Sequence, residues 1–380
     1  MNGTQAPQAG TAGPPSTWVL LGDKAGDNRQ VQIIEEALGW PCEHKHIQVL
    51  DRFVYGKPRV GPTLYHIDRE RSAPLEPPWP DLIITSGRRP ANVALWIRRQ
   101  SRGHTRIVLV GKPSGMMKEF ALIVASSENQ FPPLARTVSI ALPLMRVDAQ
   151  AVETARAAWE ARMAGLPRPL VAILVGGPTN PFVYNRRAGR RLVELARQVV
   201  RETGGTPYVT TSRRTPPRTV AALRAGLPDQ GRLFVWGSEG EENPYLGLLA
   251  HADGFAVTGD SISMITEIVR LHRPLAIIPL PTGVVGTADQ LRRSFARWLF
   301  RPNRGTAVDL ARGRLARGIY LSGVISHTRD FRAFHQMLFD HGLAVPAGTP
   351  LRPPTGPVPD DLAQVVTRIK GLFGQAVPSP

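Results

Sequence analysis

Short apolar runs alternate with longer amphipathic segments along most of the chain, and this alternation starts afresh near the middle. In the first half, the runs Leu82–Thr85 and Thr105–Val110 flank a segment with helical spacing from Pro90 to Arg102. In the second half, the pattern begins again with the run Val171–Val175. Strands that alternate with helices in this way are typical of parallel βαβ units. The sequence therefore predicts an α/β protein with two Rossmann-like, doubly wound domains that face a cleft.

Length and proline positions divide the chain into parts. A chain of 380 residues exceeds the roughly 250–300 residues at which single cores stop growing, and Pro167 and Pro169 punctuate its middle. The apolar spacing between Asp360 and Phe373 predicts a last helix that docks on another part of the protein. We therefore predict a disordered leader at 1–16, an N-terminal domain at 17–166, a C-terminal domain at 167–345, and a proline-rich linker with the last helix at 346–380.

Composition indicates the cellular compartment of the protein and the kind of partner that it binds. The N-terminus lacks the basic and apolar regions of a secretory signal, and the single Cys42 cannot form an internal disulfide, so we expect a cytoplasmic protein. The net charge of +17 is spread along the chain as arginines rather than gathered in one tract, which argues against nucleic acid as a partner. It favours phosphorylated ligands, or peripheral attachment to an anionic inner-membrane surface through arginines of the first domain.

The segments that follow the predicted strands share one kind of composition. Ligands of open parallel sheets bind outside the carboxyl ends of the strands. Nearly every one of these segments pairs glycine with hydroxyl, amide or basic side chains. The segments are Gly22–Asn28, Ser86–Asn92, Gly111–Pro113, Gly176–Asn180, Ser212–Thr215, Gly237–Ser238 and Gly259–Ser261, of which only Ser212–Thr215 has no glycine. Turn geometry alone favours such residues at any one of these points. Their repetition at successive strand ends predicts a phosphate-containing ligand.

The segment from Gly259 to Glu267 is the most informative of these. A strand that delivers Gly-Asp-Ser-Ile-Ser to a helix start places free N–H groups, hydroxyls and the positive end of a helix dipole together, which suits a phosphate or diphosphate. Glu267 follows one and a half turns later, where it is placed to accept hydrogen bonds from sugar hydroxyls. The alternative interpretation is an ordinary helix capped by Asp260 or Ser261, with Glu267 on its solvated face.

The sequence lacks the motifs of several other enzyme classes. The sequence has no GxGxxG after its first strand, no GxxxxGK[ST], no HExxH and no GxSxG, which argues against nicotinamide cofactors, P-loop hydrolysis, zinc peptidase and serine hydrolase chemistry. We expect no metal. Asp23 and Asp27 are the acids of the first half best placed to act as a general base across the cleft. The alternative for both is hydrogen bonding within their turn, including capping of the next helix by Asp27 or Asn28.

Six segments together resemble a known family. They are GDKAGDN after the first strand, DLIITSGRRPANVALWIRR, VGGPTNPF, TTSRRTP, NPYLGLLAHADGFAVTGDSISMITE and RPLAIIPL. They are similar to the family named for the plant mitochondrial-fission protein of the elongated-mitochondria mutant, over the region from about residue 18 to 340. That family resembles the GT-B glycosyltransferases. The resemblance implies two Rossmann-like domains, with the last helix returning to the first domain.

The resemblance also implies roles for individual residues. Gly176 and Gly177 match a loop that approaches the donor diphosphate, and Ser261 with Glu267 matches a turn and acid that hold phosphate and ribose. The full implied nucleotide-sugar set is Gly176, Gly177, Thr179, Asn180, Ser212, Arg213, Arg214, Gly259, Asp260, Ser261, Ser263, Met264 and Glu267. In the first domain, related transferases offer histidine where this chain has Asp23, Lys24 and Asp27, so we assign Asp23 as base and Lys24 to charge stabilisation. Acceptor or phosphate contacts are predicted for Ser86, Arg88 and Arg89.

The implied activity is sugar transfer. The expectation is a metal-independent GT-B-type glycosyltransferase that takes a nucleotide-diphosphate sugar as substrate, needs no cofactor, and transfers the sugar to an acceptor such as a lipid-linked one. Two alternatives stay open. One is a sugar-nucleotide epimerase of the same fold, and the other is a non-catalytic, membrane-associated adaptor in envelope or organelle division.

Overall fold

Two separate six-stranded sheets form the framework. The computed structural model describes residues 13–53, 61–113, 115–129, 135–299, 305–321 and 329–374. The strands of the first sheet are β1 (Thr17–Leu21), β2 (Cys42–His46), β3 (Leu82–Ser86), β4 (Arg106–Val110), β5 (Leu122–Ser126) and β6 (Thr137–Ile140). Those of the second are β7 (Leu170–Val175), β8 (Thr206–Thr211), β9 (Arg232–Phe234), β10 (Gly254–Thr258), β11 (Leu275–Ile278) and β12 (Val345–Pro346).

Both sheets are parallel and doubly wound. Their orders are β2-β1-β3-β4-β5-β6 and β12-β11-β10-β7-β8-β9, and every pairing between these strands is parallel. The central strands β1 and β7 are buried throughout, because helices cover both faces of such sheets; this is why they read as unbroken apolar runs. The predicted fold class is confirmed.

Helices connect the strands. Those of the described residues are α1 (Ala25–Leu38), α2 (Arg88–Gln100), α3 (Ala149–Ala164), α4 (Arg186–Thr203), α5 (Pro217–Gly226), α6 (Tyr245–His251), α7 (Ile262–Arg270), α8 (Val284–Leu299), α9 (Ala307–Leu321), α10 (Phe331–Asp340) and α11 (Leu362–Gly371). None of them is long and apolar enough to cross a bilayer. Residues 1–12 of the predicted leader lie outside the described residues.

The first helix starts before both of the residues that were expected to cap it. Helix α1 begins at Ala25 with Lys24 at its N-cap, and no side chain caps it. The expectation that Asp27 or Asn28 caps this helix was therefore wrong. The amide of Asn28 instead closes the preceding loop, since it accepts from the Gly22 N–H at 2.9 Å and donates to the Gly22 carbonyl at 2.8 Å.

Two helices tie the halves of the chain together. Helix α3 packs on the core of the second sheet through Trp159 and Met163, although the predicted N-terminal domain, 17–166, includes it. Helix α11 packs against α1, where Val365 and Ile369 are fully buried in the core of the first sheet. Each half of the chain thus sends one helix to the other half.

Candidate functional site

The second sheet reverses its winding between β7 and β10. At such a switch point the loops on either side part and leave a crevice for ligands. Here the loop after β7 is tied to β10: the Gly176 N–H donates to Thr258 Oγ1 at 2.8 Å, and the Gly177 N–H donates to Asp260 Oδ2 at 2.9 Å. The Tyr184 hydroxyl donates to the other carboxylate oxygen, Asp260 Oδ1, at 2.7 Å. These bonds fix the two loops against each other.

Asp260 is buried beneath these loops and holds them together. Its residue exposure is 4 %, and burial raises the pKa of its carboxyl above the ordinary value. Burial also raises the pKa of the Tyr184 hydroxyl, and the neighbouring Asp260 carboxylate adds to that rise. The Asp260 side chain points into the loop cluster, where both of its oxygens already accept hydrogen bonds. Its contact with a nucleotide stays a prediction.

The glycines of these loops are required by close packing. A Cβ on Gly176 would lie 2.4 Å from Asp260 Oδ2. One on Gly177 would lie 2.4 Å from the Arg214 Cβ and 2.6 Å from the Arg214 carbonyl oxygen. One on Gly259 would lie 2.6 Å from Cε1 of His335 on α10. A side chain at Gly176 or Gly177 would push the neighbouring loops apart, and one at Gly259 would displace the ring of His335.

The loop after β8 joins the same unit. The Thr215 hydroxyl donates to the Gly176 carbonyl at 2.6 Å, and Arg214 Nη1 donates to Thr179 Oγ1 at 3.3 Å. Arg213 and Arg214 are both exposed. The structure thus brings together the predicted residues Gly176, Gly177, Thr179, Ser212, Arg213, Arg214 and Gly259, while Asn180 lies exposed at the outer end of the β7 loop.

Helix α7 begins at this point with open backbone donors. Ser261 stands at its N-cap but makes no side-chain cap hydrogen bond, so neither predicted capping residue caps the helix. The first N–H groups of a helix have no partner within it, and Ser263, in the first turn, is exposed. Met264 packs partly against the core. Ser261, Ser263 and the first turn of α7 are available to an anion.

Glu267 is held by a neighbouring tyrosine. The Tyr245 hydroxyl, at the start of α6, donates to Glu267 Oε2. Burial raises the pKa of Glu267 above its ordinary value, while the bond from Tyr245 opposes that rise. The pKa of Tyr245 is raised by its own burial and by the Glu267 charge. Glu267 is thus neither on a solvated face nor free, since one of its oxygens already has a protein donor.

The first sheet has its own switch point between β1 and β3, where charged side chains meet. Arg89 Nη1 lies 2.8 Å from Asp23 Oδ2, and the same guanidinium donates to the Phe53 carbonyl. Lys24 Nζ lies 3.9 Å from Asp27 Oδ2. Asp23 and Lys24 remain exposed. The predicted base therefore lies at the carboxyl edge of the first sheet, oriented by an arginine.

The predicted acceptor contacts divide into two kinds. The Ser86 side chain is buried and donates to the Val110 carbonyl at 3.0 Å, so it joins β3 to β4. Arg88 and Arg89 begin α2, whose N-cap, Gly87, has a φ of 84° and no side-chain cap hydrogen bond. The acceptor contacts of Ser86 and Arg88 stay predictions, and Arg89 contacts the loop of Asp23.

Several residues of this region are not predicted from the sequence. Tyr184, Tyr245 and His335 hold or contact the loops of the second sheet. Glu128, in a short turn after β5, is buried, and its carbonyl accepts from the N–H of Asp330 at 2.6 Å. That bond joins the first sheet to α10. In the part of the chain that the structure describes, no group of three or more histidine, cysteine, aspartate or glutamate side chains is arranged to hold a metal ion.

Structural comparison finds solved structures with low sequence identity to this chain. The structure of MurG from Acinetobacter baumannii is 12 % identical, with a TM-score of 0.41 over 94 % of this chain and 100 % of that one. A UDP-GlcNAc 2-epimerase from Methanocaldococcus jannaschii is 10 % identical, with a TM-score of 0.44 over 94 % and 99 %. The calicheamicin glycosyltransferase CalG4 is 12 % identical, with a TM-score of 0.41 over 96 % and 99 %.

Sequence comparison shows the family directly. Mitochondrial fission protein ELM1 of Arabidopsis thaliana is 25 % identical over 221 residues, which are 52 % of this chain and 51 % of that protein. The chain thus spans about half the length of this relative. The family model described as Mitochondrial fission ELM1 matches residues 25–301. On that match, the chain belongs to the mitochondrial fission ELM1 family.

Proposed function

We propose that this protein is a GT-B-type glycosyltransferase that binds a nucleotide-diphosphate sugar mainly through its second domain. The observation that carries the proposal is the joining of the loops after β7, β8 and β10 into one hydrogen-bonded unit at a switch point. Two exposed arginines and an uncapped helix start border that unit. Together they supply the positive charge and backbone donors that a diphosphate requires.

The diphosphate would be bound by groups that differ in rigidity. The first turn of α7 offers backbone N–H groups whose position is fixed by the Gly177–Asp260 bond, together with the exposed Ser263. Arg213 and Arg214 add side-chain donors from the next loop. When the bond to the sugar breaks, negative charge grows on the departing diphosphate. Donors that are already in place stabilise that charge without rearrangement.

Glu267 would bind the ribose. The Tyr245 hydroxyl donates to Oε2, which leaves the second carboxylate oxygen for a ribose hydroxyl. Because one oxygen is already bound, the carboxylate is oriented before the ligand arrives, and less side-chain entropy is lost on binding.

The acceptor would be activated from the first domain. Asp23 is exposed and oriented by Arg89, so its carboxylate can accept the proton of an acceptor hydroxyl as that oxygen attacks the anomeric carbon. Lys24 lies beside it, near Asp27, and adds positive charge facing the same cleft. Arg88 would contact phosphate of an acceptor that carries one, as a lipid-linked acceptor does.

Two other functions make different demands on these residues. A sugar-nucleotide epimerase would need an acid and a base on the two sides of the sugar. Asp23, and Asp27 in the first turn of α1, would supply carboxyl groups from one side only. A non-catalytic adaptor would need no turnover at all. The ion-paired, exposed state of Asp23 favours the transferase, because a single oriented base is what hydroxyl attack requires.

The test is turnover of a panel of nucleotide-diphosphate sugars by the whole chain. Purified protein is first screened by thermal shift, and each stabilising nucleotide sugar is then incubated with and without lipid-linked acceptors. A transferase releases the nucleoside diphosphate and shows the sugar on the acceptor. Conversion of the sugar without nucleotide release would establish the epimerase, and stabilisation by none of the panel would contradict the proposed site.

A further inference from the structure

Helices α8 and α9 carry an unusual share of the exposed apolar side chains. Of the ten large apolar side chains that are exposed in the described part of the chain, six lie between Leu291 and Leu315. They are Leu291, Phe295, Trp298, Val308, Leu310 and Leu315. Val308 is 77 % exposed and Leu291 is 72 % exposed. Single exposed apolar residues are ordinary on a protein surface, but a group confined to two contacting helices marks an interaction site.

These side chains form stripes rather than a scatter. On α8, Leu291, Phe295 and Trp298 are spaced at i, i+4 and i+7, which places them on one face of the helix. The rings of Phe295 and Trp298 stack with centroids 5.9 Å apart. On α9, Val308 and Leu315 are seven residues apart and share a face in the same way. We call the five residues of these two stripes the α8–α9 surface.

The charge of the two helices suggests what binds there. Their sequences contain Arg292, Arg293 and Arg297 on α8 and Arg312, Arg314 and Arg317 on α9, against only Asp289 and Asp309, and neither helix contains lysine or glutamate. An apolar stripe with tryptophan and phenylalanine on a strongly arginine-rich helix is the composition of helices that lie in a membrane interface. Arg312 is paired with Asp309, its Nη2 lying 2.9 Å from Asp309 Oδ1, whereas Arg314 is exposed. An exposed arginine is attracted to anionic lipid head groups.

We infer that the α8–α9 surface binds the face of an anionic lipid bilayer. Leu291, Phe295 and Trp298 would enter the boundary between head groups and acyl chains, where an aromatic ring with a polar edge is favoured. The exposed Arg314 would remain at the level of the lipid phosphates. The inference differs from the expectation of attachment through arginines of the first domain, because the exposed apolar groups that would enter the bilayer are in the second half of the chain.

The inference is independent of nucleotide binding and is tested separately. Flotation of the whole chain with vesicles of phosphatidylglycerol and phosphatidylcholine is compared with flotation using phosphatidylcholine alone. We expect binding to the anionic vesicles and at least about tenfold weaker binding to neutral ones. Binding should be lost at high salt, because the distance over which the attraction decays, about 8 Å at physiological ionic strength, shortens as salt is added. The triple variant Leu291→Ser, Phe295→Ser, Trp298→Ser should bind anionic vesicles at least about tenfold more weakly.

A matched control separates this surface from exposed apolar residues in general. Trp236 and Trp298 are both 49 % exposed, so Trp236→Ser removes an equally exposed indole from another part of the molecule and should leave flotation unchanged. Circular dichroism of the triple variant establishes that it is folded.

Three outcomes would overturn the inference. They are flotation of the triple variant as strong as wild type, equal loss in Trp236→Ser, and no flotation of wild type. Sedimentation velocity adds a fourth, because a wild-type dimer that the triple variant abolishes, without vesicle binding by either, would make this surface a contact between two copies of the chain.

Discussion

The two switch points use acidic residues in opposite ways. In the second sheet, Asp260 is buried and accepts hydrogen bonds from the Gly177 N–H and the Tyr184 hydroxyl. In the first sheet, Asp23 is exposed and its partner is the guanidinium of Arg89. The sequence places both acids in similar glycine-containing loops after central strands. Their surroundings, and not their local sequence, determine that Asp260 holds loops in place while Asp23 stays accessible to a ligand.

This difference has a chemical consequence. A buried carboxylate that already binds two donors keeps backbone groups in place, so the second switch point presents a fixed set of N–H groups to a ligand. An exposed carboxylate beside one arginine retains lone pairs for a proton. Rigid donors suit the binding of a diphosphate, and an exposed carboxylate suits acceptor activation. We propose that the second domain has the first role and the first domain the second.

Measurements of stability test the difference between the two acids most directly. Asp260→Ala leaves the Gly177 N–H and the Tyr184 hydroxyl buried without their acceptor, and we expect a loss of about 3–5 kcal/mol in the free energy of unfolding. Asp23→Ala removes the exposed partner of the Asp23–Arg89 pair, and Arg89 keeps its bond to the Phe53 carbonyl. The cost should therefore be smaller, about 1 kcal/mol. Urea unfolding of both variants measures this. Equal losses in the two variants would remove the distinction between the acids.

The second prediction concerns turnover. Asp23→Asn keeps the size of the side chain but cannot take a proton, so with the true acceptor the rate should fall by at least about 100-fold while nucleotide affinity changes by less than about twofold. Asp27→Asn, in the first turn of α1, is the control and should retain most of the rate. A fully active Asp23→Asn would place the base elsewhere.

The third prediction uses a histidine beside the second switch point. Burial lowers the pKa of His335 from 6.5 to about 4, with its Nε2 buried against the Gly259 loop. Between these pH values, the unfolded chain protonates this histidine more readily than the folded chain does. The contribution of His335 to the free energy of unfolding is therefore fully present above pH 6.5 and is lost as the pH falls toward 4. By pH 5 the loss from this group is about 2 kcal/mol.

The matching variant isolates that contribution. His335→Asn is uncharged over the whole range, so its stability should fall less steeply than that of wild type between pH 6.5 and 4. Urea unfolding at half-unit pH steps measures both slopes. Parallel curves would show that His335 titrates normally in the folded protein.

The smallest expected effect concerns the ribose. Glu267→Ala should weaken nucleotide binding by about 1–3 kcal/mol, the range for a lost hydrogen bond to a charged group. Tyr245→Phe removes the protein donor but keeps the carboxylate, so it should lose less affinity than Glu267→Ala. Calorimetric titration compares them. If Glu267→Ala binds the nucleotide as wild type does, this residue has no contact with the ligand.

The sequence predicts the parts of this molecule that rest on local patterns. Buried parallel strands such as β7 read as apolar runs, and glycines after them marked the loops that the structure brings together. The inward orientation of Asp260 was not predictable, because its partners Gly177 and Tyr184 lie 83 and 76 residues away in sequence. The same holds for α3, whose apolar face does not reveal which of two cores it joins.

Helix α9 shows another limit of local patterns. It is not predicted from the sequence, since Gly313 and Gly318 interrupt it and glycine disfavours a helix interior by about 1 kcal/mol relative to alanine. Its exposed Val308 and Leu315 also depart from the rule that apolar helical positions face a core. That departure became visible only once the structure showed what the helix packs against.

The central claim is that the loops of the second switch point bind a nucleoside diphosphate group, and one titration tests it most directly. The best nucleotide from the thermal-shift screen is titrated into wild type, into Arg213→Gln with Arg214→Gln, and into Arg99→Gln with Arg102→Gln. The last pair removes the same charge from exposed positions at the far end of α2. We predict at least about tenfold weaker binding for the first pair and wild-type affinity for the second. Equal weakening of both pairs would reduce the effect to net charge, and unchanged affinity in the first pair would contradict the claim.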